Sequence, residues 1–159
     1  MVSLVEPFNK FNTPRAAQLS QRSNQFNLRT VRYTEADISM IAAAANAFSF
    51  TFTLEDKFGD NGMICIIILQ AENDDTLFID TWLMSCRVLK RGMEDFVLKC
   101  LVNFAKEKGY AFLKGEYIAT PKNEMVKNHY FQLGFQPVGD YFILDVASYK
   151  EKMSFITIK

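Results

Sequence analysis

The segment SCRVLKRGMEDFVL, residues 85–98, gathers a thiol, basic side chains, one glycine and two carboxylates where an apolar strand gives way to an amphipathic helix. The first turn of a helix leaves backbone N–H groups without partners, so such a junction can hold a phosphate. Glu94 opposes that use, because the helix dipole favours a carboxylate there and it can take the anion's place. The plainer alternative is a self-capped helix with Lys90 and Arg91 in solvent. Cys86, at the strand end, is either a thiol nucleophile or one more buried apolar side chain; no histidine is spaced to pair with it. A second group lies downstream. Glu116 ends a strand and has the chemistry of a general base toward an amine or thiol, or of an ion-pair partner for Lys114 or Lys122. His129, the single histidine, adjoins Tyr130 on a helical pattern, where packing is the simpler role for both.

The elements that must position these groups follow from periodicity. SLVEPF (3–8) reads as a short strand, and Thr13 with Pro14 opens a helix over 13–26. Thr34 caps a second helix, 35–47, with Ile38, Ile41, Ala42 and Ala45 at helical spacing. FSFTFTLED (48–56) alternates strictly, with Phe48, Phe50, Phe52 and Leu54 on one face. A turn at 57–62 returns the chain into MICIIILQ, a strand buried on both faces, and TLFIDTWLMSC (76–86) is a third, central strand. Residues 92–109 form the strongest helix. Met93, Phe96, Val97, Cys100, Leu101, Phe104 and Ala105 make its apolar stripe, acids lie in its first turn, lysines in its last, and Gly109 ends it. YAFLKGEYI (110–118) is a strand, and TPKNEMVKNHYFQLG (120–134) a helix with Met125, Val126, His129, Tyr130 and Leu133 inward. FQPVGDYFILDV is a hairpin turning near Gly139, and the tail adds a short strand. The order β-α-α-β-β-β-α-β-α-β-β predicts an α/β fold with a mixed sheet, as one domain over 1–159.

Composition narrows the function classes. The chain has 159 residues, 49% hydrophobic and 23% charged, with 15 Phe and 6 Tyr, enough apolar area for one core. A formal net charge of zero argues against nucleic acid and anionic membrane as partners. No apolar run reaches transmembrane length, and no charged segment precedes an apolar one as in a secretory signal. Cys65, Cys86 and Cys100 lack metal-ligand spacing, which predicts reduced thiols, no metal and a cytoplasmic setting.

NEMVKNHYFQLGF (123–135) resembles the last motif of the GNAT acyltransferases, with Asn123, Tyr130, Gly134 and Phe135 in register. The resemblance implies a GNAT-like acyl-CoA N-acyltransferase fold: a mixed, mostly antiparallel sheet flanked by helices. It also implies a cleft between two splayed strands whose exposed backbone pairs with pantetheine amides. A closer likeness covers most of the chain. RAAQLSQRSNQFN (15–27), RYTEADI (32–38), FGDNG (58–62), WLMSCRVLKRGMED (82–95) and GEYIATPKNEMVKNHYFQLGF (115–135) look like the C-terminal GNAT-like domain of FkbH-type proteins. Those proteins join it to a HAD-like domain and prepare glyceryl groups on acyl carrier proteins for methoxymalonyl-type extender units; the chain resembles the GNAT-like half alone. The resemblance implies Tyr130 as proton donor to the departing thiolate and Glu116 as base. CoA or carrier-bound phosphopantetheine would meet Met84, Cys86, Lys90, Arg91, Gly92, Met93 and Asn123. The pyrophosphate segment would fall on LKRGME, where Gly92 is in place, Leu89 replaces a Gln or Arg, and Glu94 replaces a small residue. Two functions follow: an acyltransferase acting on a phosphopantetheine thioester, or a non-catalytic module that docks an acyl carrier protein or a HAD-like partner. Binding of a small phosphorylated or carboxylated ligand is a third, more remote reading.

Overall fold

The computed structural model describes residues 1–86 and 92–159. Its strands are β1 (Val2–Ser3), β2 (Val5–Glu6), β3 (Ala47–Asp56), β4 (Gly59–Ala71), β5 (Thr76–Met84), β6 (Phe112–Glu116), β7 (Gln136–Val138), β8 (Tyr141–Asp145) and β9 (Thr157–Ile158). Its helices are α1 (Thr13–Arg22), α2 (Glu35–Ala43), α3 (Met93–Lys108) and α4 (His129–Gln132). Among the described residues the strands form one nine-stranded sheet in the order β7-β8-β6-β5-β4-β3-β1-β9, with β2 pairing β3. Neighbours are antiparallel except β1 with β9 and β5 with β6. A mixed, mostly antiparallel sheet flanked by helices is what the element order predicted.

The sheet is assembled from its most apolar strand outward. Residues Met63 to Leu69 of β4 are buried on both faces, as an unbroken apolar run requires of a central strand. One face carries the larger core, built from Phe52, Leu54, Trp82 and the inner face of α3; the other packs Ile66, Ile68 and Leu83 against Ala16, Ala17, Leu19 and Ile38 from α1 and α2.

Several boundaries differ from the periodicity, each for a local reason. The first strand breaks at Leu4, whose N–H bonds the Thr53 hydroxyl (2.9 Å). The first helix begins beside Asn12 and stops at Arg22. The second has the Thr34–Asp37 capping box but stops at Ala43 and buries only Ile38 fully, because it lies at the rim of the sheet. In α3, Leu98 and Val102 join the core, whereas Cys100 and Phe104 are half-buried. Phe104 packs edge-on against Phe48 and Phe50, themselves half-buried at the outer end of β3. The long helix expected over 120–134 is a 3-10 turn at Glu124–Val126, then the single turn of α4. Side-chain to backbone bonds from Thr120 and Asn123 hold residues 117–123 and compete with helix entry. Met125 consequently points outward.

Candidate functional site

The parallel pair β5 and β6 stays together for three residues, Thr76–Phe78 beside Phe112–Lys114. Beyond Phe78 the strands diverge, and the chain's own segment 26–29 lies in the gap. Its backbone completes the open edge of β5: Leu28 N–H donates to Trp82 C=O (3.3 Å), and Met84 N–H donates to Phe26 C=O (3.0 Å). Toward β6, Ile118 N–H donates to Leu28 C=O (2.9 Å). Phe26 and Leu28 are buried core residues, so this strap is a packed part of the sheet. The exposed strand backbone implied by the resemblance is therefore absent at Trp82 and Met84. A tethered strand satisfies it at no intermolecular entropy cost.

Arg29 staples the strap to both walls. Its guanidinium pairs with Asp80 of β5 (3.1 Å) and Glu116 of β6 (2.9 Å) and lies over the Phe78 ring. The Tyr33 hydroxyl donates to the other oxygen of Asp80, as does that of Thr81. Burial, then the Asp80 carboxylate, push the Tyr33 phenol pKa well above its usual value, so Tyr33 stays a donor. Glu116 thus pairs with Arg29, while Lys114 pairs with Glu72. The general-base candidate is held in a charge cluster with its carboxylate oriented toward the strap.

Asn123 is fully buried. Its amide donates to Asn27 C=O (3.0 Å) and Ile118 C=O (2.9 Å), and its oxygen accepts from Thr120 N–H and the Tyr117 hydroxyl. The structure makes this a clamp on the strap, where the resemblance implied a cofactor contact. Asn123→Ala leaves the buried Asn27 carbonyl without this donor and should lower stability by about 2–3 kcal/mol in urea unfolding. A loss below about 0.5 kcal/mol, the ordinary size for an uninvolved surface change, would show that the clamp holds nothing.

Tyr130 is 1% exposed, its ring boxed by Trp82, His129, Phe135 and Phe142. Among the described residues its hydroxyl is buried with no protein partner, and burial raises its pKa far above the usual value. It keeps its proton, as a donor must, and among the described residues the hydroxyl is shielded from solvent. Met84 and Met93 are also buried. Gly92 takes a left-handed conformation (φ 79°) at the start of α3. Glu94 and Asp95 line a pocket of about 360 Å³ between α3 and α4, with Phe26, His129, Leu133 and Lys152. Lys90 and Arg91 lie outside the described residues.

The largest opening near these groups is a cleft of about 770 Å³ at the end of β5. One wall is α1 and the start of the strap: Arg15, Leu19, Arg22 and Ser23 to Phe26. The other holds Met84, Ser85, Cys86, Pro121 and Lys122. Cys86 is exposed here and its thiol donates to Gln25 Oε1 (3.1 Å). Sequence reasoning brought Cys86 to this region but missed Arg15, Arg22 and Lys122. Arg15, Leu19 and Arg22 at i, i+4 and i+7 do mark one helix face; nothing in spacing pointed to Arg29, Tyr33 or Asp80. Among the described residues, no group of three His, Cys, Asp or Glu side chains is placed to hold a metal. Among the described residues no helix is long and apolar enough to cross a membrane.

The diverging strand pair, with α3 packed across it and the β7–β8 hairpin beyond, matches solved structures over nearly the whole chain. The fold is that of the GNAT acetyltransferases. The spermidine N-acetyltransferase from Vibrio cholerae, solved with CoA and spermine, superposes with a TM-score of 0.69 at 8% identity, covering 92% of this chain and 97% of that one. The ribosomal-protein-S18-alanine N-acetyltransferase from Escherichia coli gives 0.66 at 17% identity, covering 96% and 99%. The GNAT domain of S. lividans PAT gives 0.66 at 13%, covering 89% of each chain. No protein-family model matches the sequence, and no curated protein does.

Proposed function

We propose that this GNAT-fold chain is an acyltransferase domain of FkbH type, acting on an acyl group held as a phosphopantetheine thioester on a carrier protein, in methoxymalonyl, glyceryl or related extender-unit biosynthesis. One observation carries the reading. The twelve described residues lining the cleft at the end of β5 all come from 15–27, 82–95 and 115–135, three of the stretches on which the FkbH-type likeness rests. Widely separated segments of one resemblance converge on one opening. The chemistry required is attack by an acceptor nucleophile on the thioester carbonyl, with loss of the C–S bond. The acceptor's proton passes to a base, and the departing thiolate takes up a proton.

A carrier protein suits the site better than free CoA. Two neighbours are described with CoA, which supports a thioester ligand for this fold. In this chain, however, Glu94 and Asp95 both face the pocket between α3 and α4. Two unit charges at 4 Å repel by about 1 kcal/mol in water and about 4 at an effective dielectric of 20. A pyrophosphate beside Glu94 should therefore bind about ten-fold or more weakly than beside a small neutral residue. Glu94→Ala should tighten CoA binding in calorimetry, and the gain should shrink as salt rises. Low-micromolar CoA binding by the unaltered protein, or no gain from Glu94→Ala, would sink this preference.

The strap favours a second reading, in which the domain docks an acyl carrier protein or a HAD-like partner without chemistry, since the Tyr130 hydroxyl is sealed. Mass spectrometry of an acyl-charged carrier incubated with the domain and candidate amine or thiol acceptors separates the two. Acyl loss from the carrier with gain on the acceptor supports transfer. A stable complex with the acyl group unmoved supports docking. Neither complex nor transfer removes the carrier from both.

A further inference from the structure

We propose that the cleft at the end of β5 binds a phosphate ester through Arg15, Arg22 and Lys122. This rests on the reading above and names the part of the carrier-borne arm that the cleft recognises, its phosphate.

The chain has 18 basic and 18 acidic side chains, yet among the described residues the cleft is lined by three cations and no carboxylate. Arg15 and Arg22 lie two turns apart on one face of α1, with Leu19 between them, and Lys122 stands on the opposite wall after Pro121. Among the described residues no carboxylate pairs with any of the three; Arg15 donates only to the Gln18 amide oxygen (2.7 Å).

The end of α1 would normally offer carbonyl oxygens to this space, which repel an anion. Here Arg32 occupies two carbonyls at that end. Its guanidinium donates to the Ser20 and Ser23 carbonyls and to Asn24 Oδ1. The cleft is left with cations and neutral hydrogen-bonding groups: Ser23, Asn24, Gln25 and Ser85. Three cations suit a tetrahedral phosphate ester, whose oxygens point in several directions, better than a planar carboxylate. A volume of about 770 Å³ admits a phosphate with an organic body attached. The apolar part of such a body would meet Leu19, Phe26 and Met84. Its far end would meet Cys86, whose exposed thiol then reports occupancy.

The test compares S-methyl 4′-phosphopantetheine, S-methyl pantetheine and inorganic phosphate on the full chain. Calorimetry reads affinity, and mass spectrometry reads alkylation of Cys86. Cys65 is buried, and burial pushes the Cys100 thiol up to about 11, so Cys86 dominates labelling. The phosphorylated arm should bind roughly ten-fold or more tightly than the unphosphorylated one and slow alkylation of Cys86, less so at high salt. Inorganic phosphate should compete with it weakly. Changing Arg15, Arg22 and Lys122 together to Gln should erase the difference between the two arms without moving the thermal midpoint. Equal binding of both arms would overturn the phosphate site while leaving the carrier reading in place, and so would discrimination that survives the triple change. If neither arm binds or protects Cys86, the carrier reading fails and the phosphate site with it.

Discussion

Between pH 7 and pH 4.5 the protein should lose about 3 kcal/mol of stability through His129 alone, and His129→Phe should abolish that component. His129 is 6% exposed and its ring packs edge-on against Phe26 and Trp82, with Nε2 lacking a partner among the described residues. Burial lowers its pKa from 6.5 to about 3. The folded state therefore holds the imidazole neutral while the unfolded chain takes up a proton as pH falls below about 6.5. Stability from this group is intact above that value. It declines by about 1.4 kcal/mol per pH unit until the folded-state pKa is reached. Carboxylates titrate over part of the same range, so the readout is the difference in slope between the two proteins in urea unfolding across pH 4.5–7. Any constant offset from repacking cancels. Parallel slopes would show that His129 is not held neutral.

Gly115→Ala should cost about 3 kcal/mol or more, at the upper end for an overpacked core. A Cβ at this position would stand 2.6 Å from two atoms of the Tyr130 ring and 2.8 Å from a third. The ring cannot yield, because Trp82, His129, Phe135 and Phe142 enclose it. The strand cannot yield either, since Gly115 pairs with Phe142 in the middle of the sheet. Tyr130→Leu frees the space, so the pair Gly115→Ala with Tyr130→Leu should be less destabilised than the sum of the single changes. Double-mutant analysis of denaturant midpoints measures this coupling, expected at about 1–3 kcal/mol for residues in direct contact. Strict additivity would mean that Gly115 does not make room for Tyr130.

Much of the sheet was legible because strand and helix periods are local. The unbroken apolar run of β4 had to be central, the alternation of β3 had to be half-buried, and the stripe of α3 with its acidic start and Gly109 end had to be a helix. The register of Asn123, Tyr130, Gly134 and Phe135 likewise carried the GNAT resemblance, and the fold agrees with it.

What the sequence determined by itself was thus the order and kind of the elements, and the presence near Cys86 of an unusual helix start bearing Glu94. What only the tertiary structure decided was access. Whether the gap between β5 and β6 is open depends on a segment that precedes β5 in the chain by two strands and a helix. Phe26–Leu28 fills that gap through backbone bonds, which no side-chain pattern encodes. The charge of the cleft depends on Arg15 and Lys122 lining one opening from positions more than a hundred residues apart. The state of Glu116 depends on Arg29, and that of Tyr130 on the absent Cβ of Gly115. Burial, pairing and repulsion act through space over a few ångströms, whereas periodicity acts along the chain. The first set of forces placed the candidate site; the second had already drawn the scaffold that holds it.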